Sequence, residues 1–87
     1  MQLEIYTPER KAFRGEVYGV RLPGIDGFFE VMEKHAPMVA ALVPGQMKVL
    51  NDKTHFSFYN IKGGFIEVLN NQATVLVEGA EPTSIEK

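Results

Sequence analysis

Short apolar runs that alternate with a period of two, separated by turn residues, follow one another along almost the whole chain. In residues 2–7, "QLEIYT", Leu3 and Ile5 face one way, while Gln2, Glu4 and Tyr6 face the other. Since successive side chains of a strand point to opposite faces of a sheet, this period favours half-buried strands over helices. The pattern predicts an all-β protein, a flattened antiparallel β-sandwich or barrel of about eight to ten short strands.

Turn residues predict where these strands end. Pro44-Gly45 suits a type II turn in which the glycine supplies a positive φ. Asn51-Asp52 and Asn70-Asn71 predict two hairpins, the second with the tighter turn. Between residues 11 and 23 the apolar phase slips by one residue at Gly19, which predicts a β-bulge there.

The size and charge of the chain limit its function. Its 87 residues form one small domain, with residues 1–81 as the sandwich and 82–87 as a short polar tail. A net charge of −2 argues against nucleic acid or anionic lipid as the partner. The absence of cysteine excludes disulfides and thiolate metal sites. No apolar run is long enough to span a membrane, and the N-terminus does not resemble a signal peptide.

Catalytic and metal-binding residues are not expected. The two histidines, His35 and His55, have no second ligand at metal-binding spacing. Asp26 and Glu30 could act as paired carboxylates in a small hydrolase, but a sheet of this size offers no deep cleft to separate their pKa values. Ser57 and Ser84 lack a nucleophile elbow. We expect no catalytic residue, no cofactor and no metal.

One stretch suggests a different class of function. Residues 61–68, "IKGGFIEV", are similar to a strand of barrels that bind single-stranded nucleic acid, and Phe56, Phe58 and Tyr59 could supply stacking surfaces. However, Gly64 stands where those barrels have an aromatic residue, and the same strand carries Glu67. Core packing is the better interpretation of these aromatic residues.

The segment "KHAPMVAALVPG", residues 34–45, contains the longest apolar run. Residues 38–43 are apolar on both faces, which is typical of a strand covered on both sides. One face of this strand could pack on the core and the other on a second protein. Alternatively, the strand could cross the core, with both faces covered by the domain itself. If a partner is involved, an apolar patch around residues 35–43 is expected to be exposed in the isolated domain.

Taken together, the motifs resemble a known family. The strings "TPER…F.GEV..V.LPG.DG.F", "HAP..A.L.PG" and "GGF.EV..N..TVL.E.A" resemble the N-terminal β-sandwich domain of the epsilon subunit of F-type ATP synthase, in order and over residues 1 to about 81. The resemblance implies a non-catalytic part of the central stalk that links proton flow to ATP synthesis. It also implies peripheral attachment, through the complex only, at the cytoplasmic face of a bacterial inner membrane.

The resemblance also implies two contact sites. The segment that begins at the His-Ala-Pro motif would contact the gamma subunit, through His35, Ala36, Pro37, Met38, Ala40 and Leu42. The loop that reaches towards the ring of c subunits (the c-ring) would be formed by Gly24, Ile25, Asp26, Gly27 and Phe28.

Three features depart from the family pattern. Glu30 stands where a glycine is frequent, and Glu33-Lys34 replace a turn pair. Most members also continue into a C-terminal helical hairpin that restrains ATP hydrolysis. Here only "EGAEPTSIEK" follows Val77, and Pro82 disfavours a helix, so no inhibition by a hairpin is expected of this chain.

Overall fold

The computed structural model describes residues 1–83, which form ten β-strands without a helix. The strands are β1 (Gln2–Tyr6), β2 (Lys11–Glu16), β3 (Gly19–Gly24), β4 (Gly27–Met32), β5 (Met38–Leu42), β6 (Gly45–Leu50), β7 (Phe56–Ile61), β8 (Gly64–Leu69), β9 (Gln72–Val77) and β10 (Ala80–Thr83). The predicted all-β class and strand number are confirmed. Within residues 1–83 there is no helix of the length and apolarity needed to cross a membrane.

The strands form two layers. Sheet I has the order β2-β1-β9-β8-β5, and sheet II has the order β10-β7-β6-β3-β4. A single pair, Gly24 with Leu42, joins the two sheets through β3 and β5. The strands pair antiparallel, except that β1 runs parallel to β9.

The core lies between the two sheets and takes residues from both. It consists of Met1, Leu3, Ile5, Val17, Val20, Leu22, Val31, Leu42, Met47, Val49, Tyr59, Ile61, Ile66, Val68, Ala73, Val75, Val77 and Ala80. Leu3 and Ile5 are fully buried, as the alternation of the first strand predicts. Burying one such side chain contributes about 1.5–3 kcal/mol to folding.

The predicted β-bulge at Gly19 is wrong, because two separate strands meet there. The Val17 N–H donates to the Met1 carbonyl at 2.9 Å, and the Tyr18 N–H donates to the Leu50 carbonyl at 2.7 Å. The chain therefore leaves sheet I and enters sheet II at these residues, which causes the phase slip. A register shift does occur between Ile5 and Tyr6, where β2 contains one extra residue.

Of the three predicted turns, the hairpin around Asn51-Asp52 is confirmed by the antiparallel pairing of β6 with β7, and the other two have different outcomes. Asn70 and Asn71 have φ values of 54° and 60°, as expected for the tight hairpin between β8 and β9. Gly45 does not have a positive φ, so the predicted type II turn is wrong. A Cβ on Gly45 would lie 3.1 Å from Pro23 Cβ, so a close approach of two strands is what favours glycine here.

The last strand extends into the segment expected to be a tail. β10 pairs with β7, and Pro82 lies opposite Tyr59. A proline is tolerated there because β10 is an edge strand of sheet II. Residues 84–87, the rest of the expected tail and with it Ser84, lie outside the described residues.

The order of the strands defines the two ends of the sandwich. Gly24, Leu42, Gly64 and Val77 lie in one row at the ends of β3, β5, β8 and β9. We call this end the foot, and it carries the β3–β4 turn. The opposite end, which we call the head, carries residues 33–37 between β4 and β5 and the β8–β9 turn.

Candidate contact surfaces

The outer face of sheet I carries an apolar row that crosses four strands. Ala41 pairs with Phe65, Phe65 with Leu76, and Leu76 with Tyr6, so their side chains share one face. Phe65 is 45% and Leu76 37% exposed. We call Ala41, Phe65, Leu76 and Tyr6 the apolar row. No element of residues 1–83 covers it.

A second row crosses the same face nearer the head and is mostly polar. It contains Val39, Glu67, Thr74, Glu4 and Arg14, which are paired in register from β5 to β2. The Tyr6 hydroxyl donates to a Glu4 carboxylate oxygen at 2.7 Å, and Arg14 Nε lies 3.4 Å from the other oxygen. The hydrogen bond to Glu4, with burial and the negative charge of Glu4, raises the pKa of Tyr6.

The segment predicted to contact gamma has its side chains divided between two directions. Leu42 is a core residue, 5% exposed, and Met38 and Ala40 pack against the core from the same side of β5. These three side chains therefore point towards the core and not towards the outer face of sheet I. Val39, 69% exposed, and Ala41 point outwards instead. Because both faces of β5 are apolar, the sequence pattern alone could not distinguish the inner face from the outer one.

The His-Ala-Pro motif lies at the head, beside the outer face of sheet I. Ala36 and Pro37 are exposed and His35 is half-buried. His35 Nδ1 lies 2.8 Å from the Ala36 carbonyl oxygen. A carbonyl only accepts, so Nδ1 is the donor in this hydrogen bond, and in the neutral tautomer that donates from Nδ1 the other nitrogen, Nε2, is an acceptor.

Lys34, just before this motif, adopts a left-handed backbone with φ of 64°. Its N–H donates to Asn71 Oδ1 at 2.7 Å, which ties the β4–β5 connection to the β8–β9 turn. The chain therefore turns here through the left-handed backbone of Lys34. The side chain of Asn71 fixes the path from β4 to β5 by accepting the hydrogen bond from Lys34.

The β3–β4 turn projects apolar side chains at the foot. Ile25 is 67% and Phe28 55% exposed. Gly27 has a φ of 120°, which only glycine adopts readily, so it allows the two-residue connection through Ile25 and Asp26. A shallow cavity of about 420 Å³ lies between residues 24–29 and Ala40–Ala41, so the foot is continuous with the apolar row.

The two adjacent phenylalanines of β4 point to opposite faces. Phe29 packs against the core, and a Cβ on Gly24 would lie 2.8 Å from its ring. Gly24 therefore makes room for Phe29 to enter the core. Phe28 lies on the outer face of sheet II, with the Arg21 guanidinium carbon 4.6 Å from the centre of its ring. Phe28 is not folded beneath its own turn.

The aromatic residues do not form one stacking platform. Tyr59 is buried and packs edge-on against Phe13, with 6.4 Å between the ring centres. Phe56 and Phe58 lie on the outer face of sheet II, where Lys48 Nζ is 4.2 Å and 6.0 Å from their ring centres. Phe65 lies on the opposite outer face. This division, together with the acidic charge, does not favour the nucleic-acid hypothesis.

The residues considered for catalysis are separated. Asp26 lies in the foot turn, whereas Glu30 lies on β4 in register with Arg21. His55 is at the head, where its Nδ1 is 3.0 Å from the Asp52 carboxylate. Hydrogen bonds from Thr54 N–H and then from His55 lower the pKa of Asp52 to about 2. Residues 1–83 contain no group of three or more side chains that could hold a metal ion.

Sequence reasoning did not identify the outward residues of β8 and β9 as a contact surface. Their alternation was readable, since Ile66, Val68 and Val75 occupy the inward positions. Phe65 and Leu76 then fall on the outward positions, where polar residues are usual in a sheet with one solvated face. An apolar residue at the outward phase of a strand is the signal that could have located this surface.

Comparison with known proteins identifies the family. Residues 1–83 match the family described as "ATP synthase, Delta/Epsilon chain, beta-sandwich domain". The chain is 47% identical to the ATP synthase epsilon chain of Chlorobium limicola, over 88% of each chain. It is 41% identical to that of Salinibacter ruber and 40% identical to that of Protochlamydia amoebophila, but it spans only 62% and 54% of their lengths.

Solved structures show the same fold. A chain in the mitochondrial ATP synthase of Euglena gracilis superposes with a TM-score of 0.86 at 23% identity, over 92% of this chain and 51% of that one. A chain in the central stalk and c-ring of the Tetrahymena thermophila enzyme gives 0.80 at 16% identity, over 92% of this chain and 64% of that one. The two-layer fold, the sequence match over residues 1–83 and the identities of 40% to 47% agree, and the chain belongs to the family of the β-sandwich domain of ATP synthase delta and epsilon chains.

Proposed function

We propose that this domain is a non-catalytic part of the central stalk of a proton-translocating ATP synthase. It binds the gamma subunit through the outer face of sheet I, and it rests on the c-ring through the foot. Rotation of the c-ring is thereby transmitted to the gamma subunit. The domain is attached to the membrane only through the complex, at the cytoplasmic face of a bacterial inner membrane, and needs no cofactor.

The observation that carries this proposal is the apolar row. Phe65 and Leu76 are both more than one third exposed, and they are neighbours in a continuous apolar strip on the outer face of sheet I. Contiguous exposed apolar patches generally mark sites of protein contact. The strip crosses four strands and lies opposite no other element of residues 1–83, which suits an extended protein partner better than a small ligand.

The His-Ala-Pro motif supports the same orientation. His35 lies at the head margin of this face with Nε2 as an acceptor, so it can hydrogen-bond across an interface without a permanent charge. From the segment first predicted, we retain His35, Ala36 and Pro37 for the gamma contact. We replace the inward Met38, Ala40 and Leu42 by the outward Val39 and Ala41.

The foot has the properties that a second contact requires. Gly24, Ile25, Asp26, Gly27 and Phe28 form a short projecting turn with two exposed apolar side chains, at the end of the sandwich nearest to the apolar row. A partner that buries Phe28 would gain up to about 1.5–3 kcal/mol from that side chain. We assign the c-ring to this turn.

The test compares two phenylalanines of nearly equal exposure on opposite faces. Phe65 is 45% exposed on sheet I and Phe56 is 43% exposed on sheet II. We expect Phe65→Asp to abolish binding to the purified gamma subunit of the same organism, since an unpaired carboxylate would enter an apolar interface. Phe56→Asp is expected to bind like the wild type. Calorimetric titration of the full chain measures both dissociation constants.

The outcomes separate the alternatives. Retention of both melting temperatures shows that neither substitution acts through folding, and loss of binding in Phe65→Asp alone supports the proposal. Loss in Phe56→Asp alone would move the interface to sheet II. Failure of the wild-type chain to bind gamma would overturn the proposed function.

A further inference from the structure

The two carboxylates on the outer face of sheet I are in different electrostatic situations. Glu4 and Glu67 lie in the same row, separated by Thr74 on the strand between them. Glu4 is only 14% exposed, accepts the Tyr6 hydroxyl and pairs with Arg14. Glu67 is exposed and takes part in none of the side-chain hydrogen bonds or ion pairs found among residues 1–83.

The surroundings of Glu67 on this face are apolar on three sides. Val39, 69% exposed, is its register partner on β5, and Phe65 and Leu69, 45% and 50% exposed, are its neighbours on β8. Arg14 lies three strands away, at about 14 Å for a strand spacing of about 4.8 Å. It is already paired with Glu4 and cannot neutralise Glu67.

A partner that covers both Phe65 and Val39 therefore also covers Glu67, which is the neighbour of Phe65 on β8 and the register partner of Val39. Removing water from a carboxylate with no compensating charge costs several kcal/mol, enough to cancel the gain from the neighbouring apolar side chains. A cationic side chain placed opposite the carboxylate offsets this cost, and it makes the contact specific because a wrong partner leaves the charge unpaired.

We propose that Glu67 is a specificity-determining residue of this face, and that the gamma surface which docks here presents a cationic side chain to it, surrounded by apolar groups. Arginine fits best, because its planar guanidinium makes two hydrogen bonds to a carboxylate and tolerates apolar neighbours better than an ammonium group. This inference rests on the proposed function, since it concerns the same surface.

The test measures the binding of the purified gamma subunit to the full chain with one charge altered. Glu67→Gln keeps the shape and removes the charge, and Glu67→Lys reverses it. Glu30→Gln is the matched control, because Glu30 is also exposed at the middle of a strand but lies on the outer face of sheet II. The wild type and the three variants are expected to have equal melting temperatures, since both substituted positions are exposed.

We expect Glu67→Gln to raise the dissociation constant for gamma by about tenfold or more, and to weaken its dependence on salt. Glu67→Lys is expected to raise the dissociation constant by at least about a further tenfold, because it places two like charges opposite each other. Glu30→Gln is expected to stay within about twofold of the wild type. A charge reversal at one arginine or lysine of gamma is expected to restore binding to Glu67→Lys.

The results distinguish this inference from the proposed function. Glu67→Gln binding as tightly as the wild type, while Phe65→Asp abolishes binding, would overturn the role of Glu67 and leave the docking face intact. The role of Glu67 would also be overturned if no single charge reversal among the arginines and lysines of gamma restored binding to Glu67→Lys. If the wild-type chain does not bind gamma at all, both are overturned.

Discussion

Gly64 lies directly against the carbonyl group of Leu76. A Cβ at position 64 would be 2.0 Å from the Leu76 oxygen and 2.7 Å from Val77 Cα, both of them backbone atoms of the neighbouring strand. The backbone cannot move aside as a flexible side chain can, so the pairing of β8 with β9 depends on this glycine. This contact also explains why no aromatic residue stands at position 64.

The first prediction follows from this contact. Gly64→Ala is expected to lower the free energy of unfolding by about 3 kcal/mol or more, since the clash separates β8 from β9 at the foot end of sheet I. Gly63→Ala is the matched control, because its nearest contact is an ordinary 3.4 Å to the Leu42 oxygen. The control is expected to change stability by less than about 1 kcal/mol. Urea unfolding measures both, and equal losses would contradict this account.

The fold was predictable because the alternation of apolar and polar residues indicates the strands and the turn residues indicate where they end. Leu3 and Ile5 on β1 and the asparagine pair at 70–71 behave as their sequence pattern indicates. The pattern failed where a long-range contact decides the local structure. Val17 and Tyr18 each donate to a residue far along the chain, so a change of sheet produced the phase slip that had been interpreted as a bulge. Similarly, Gly45 is placed by its approach to Pro23.

The proposed contact surfaces combine segments suggested by the sequence with side chains that only the structure shows. The His-Ala-Pro motif and the "PGIDGF" turn directed attention to two segments through the family resemblance. On β5, however, both faces are apolar, so only the observed register could show that Val39 and Ala41 point outwards. The apolar row combines residues from four strands that are distant in sequence.

The second prediction concerns the left-handed backbone of Lys34. The left-handed conformation costs a residue other than glycine about 1 kcal/mol of folding stability. Glycine adopts it freely, but it loses about 0.5–1 kcal/mol through the greater entropy of its unfolded chain. We therefore expect Lys34→Gly to remain within about 0.5 kcal/mol of the wild type, and Lys34→Val to lose about 1–2 kcal/mol, because a β-branched residue fits this conformation worst. Both variants keep the N–H that donates to Asn71. A valine variant as stable as the glycine variant would refute this.

The third prediction concerns acid stability. The pKa of Asp52 is lowered from 3.8 to about 2 by the Thr54 N–H and by His55, so the folded state binds this proton more weakly than the unfolded state. The stabilisation is therefore complete above about pH 4 and is lost as the pH falls towards 2. Asp52→Asn retains an acceptor oxygen but does not ionise. Its deficit relative to the wild type should shrink between pH 5 and pH 2, and a deficit independent of pH would exclude this origin.

The fourth prediction concerns the hydrogen bond between Tyr6 and Glu4. The carboxylate of Glu4, which accepts the hydrogen bond from the Tyr6 hydroxyl, raises the pKa of Tyr6, with burial adding to the effect. Glu4→Gln removes the negative charge, so one of the three tyrosines is expected to ionise at lower pH. Ultraviolet absorbance of the phenolate measures this shift. Glu67→Gln, in the same row but beyond Thr74, serves as the control and is expected to leave the titration unchanged.

The fifth prediction compares Phe28 with Phe29. Phe29 packs against the core, so Phe29→Ala is expected to cost about 2–4 kcal/mol of folding stability. Phe28 is 55% exposed and contacts the guanidinium of Arg21, so Phe28→Ala is expected to cost about 1 kcal/mol or less. Thermal unfolding of the isolated domain measures both losses.

Phe28→Asp extends this comparison to the assembly. If the foot rests on the c-ring as proposed, this variant keeps the melting temperature of the domain within a few degrees, because it leaves the core intact. Attachment to the c-ring and coupled ATP synthesis in reconstituted vesicles are expected to fall, since a carboxylate replaces an apolar anchor. A variant with normal attachment and coupling would remove Phe28 from the c-ring contact. A variant that loses stability as much as Phe29→Ala would instead show that Phe28 supports the fold.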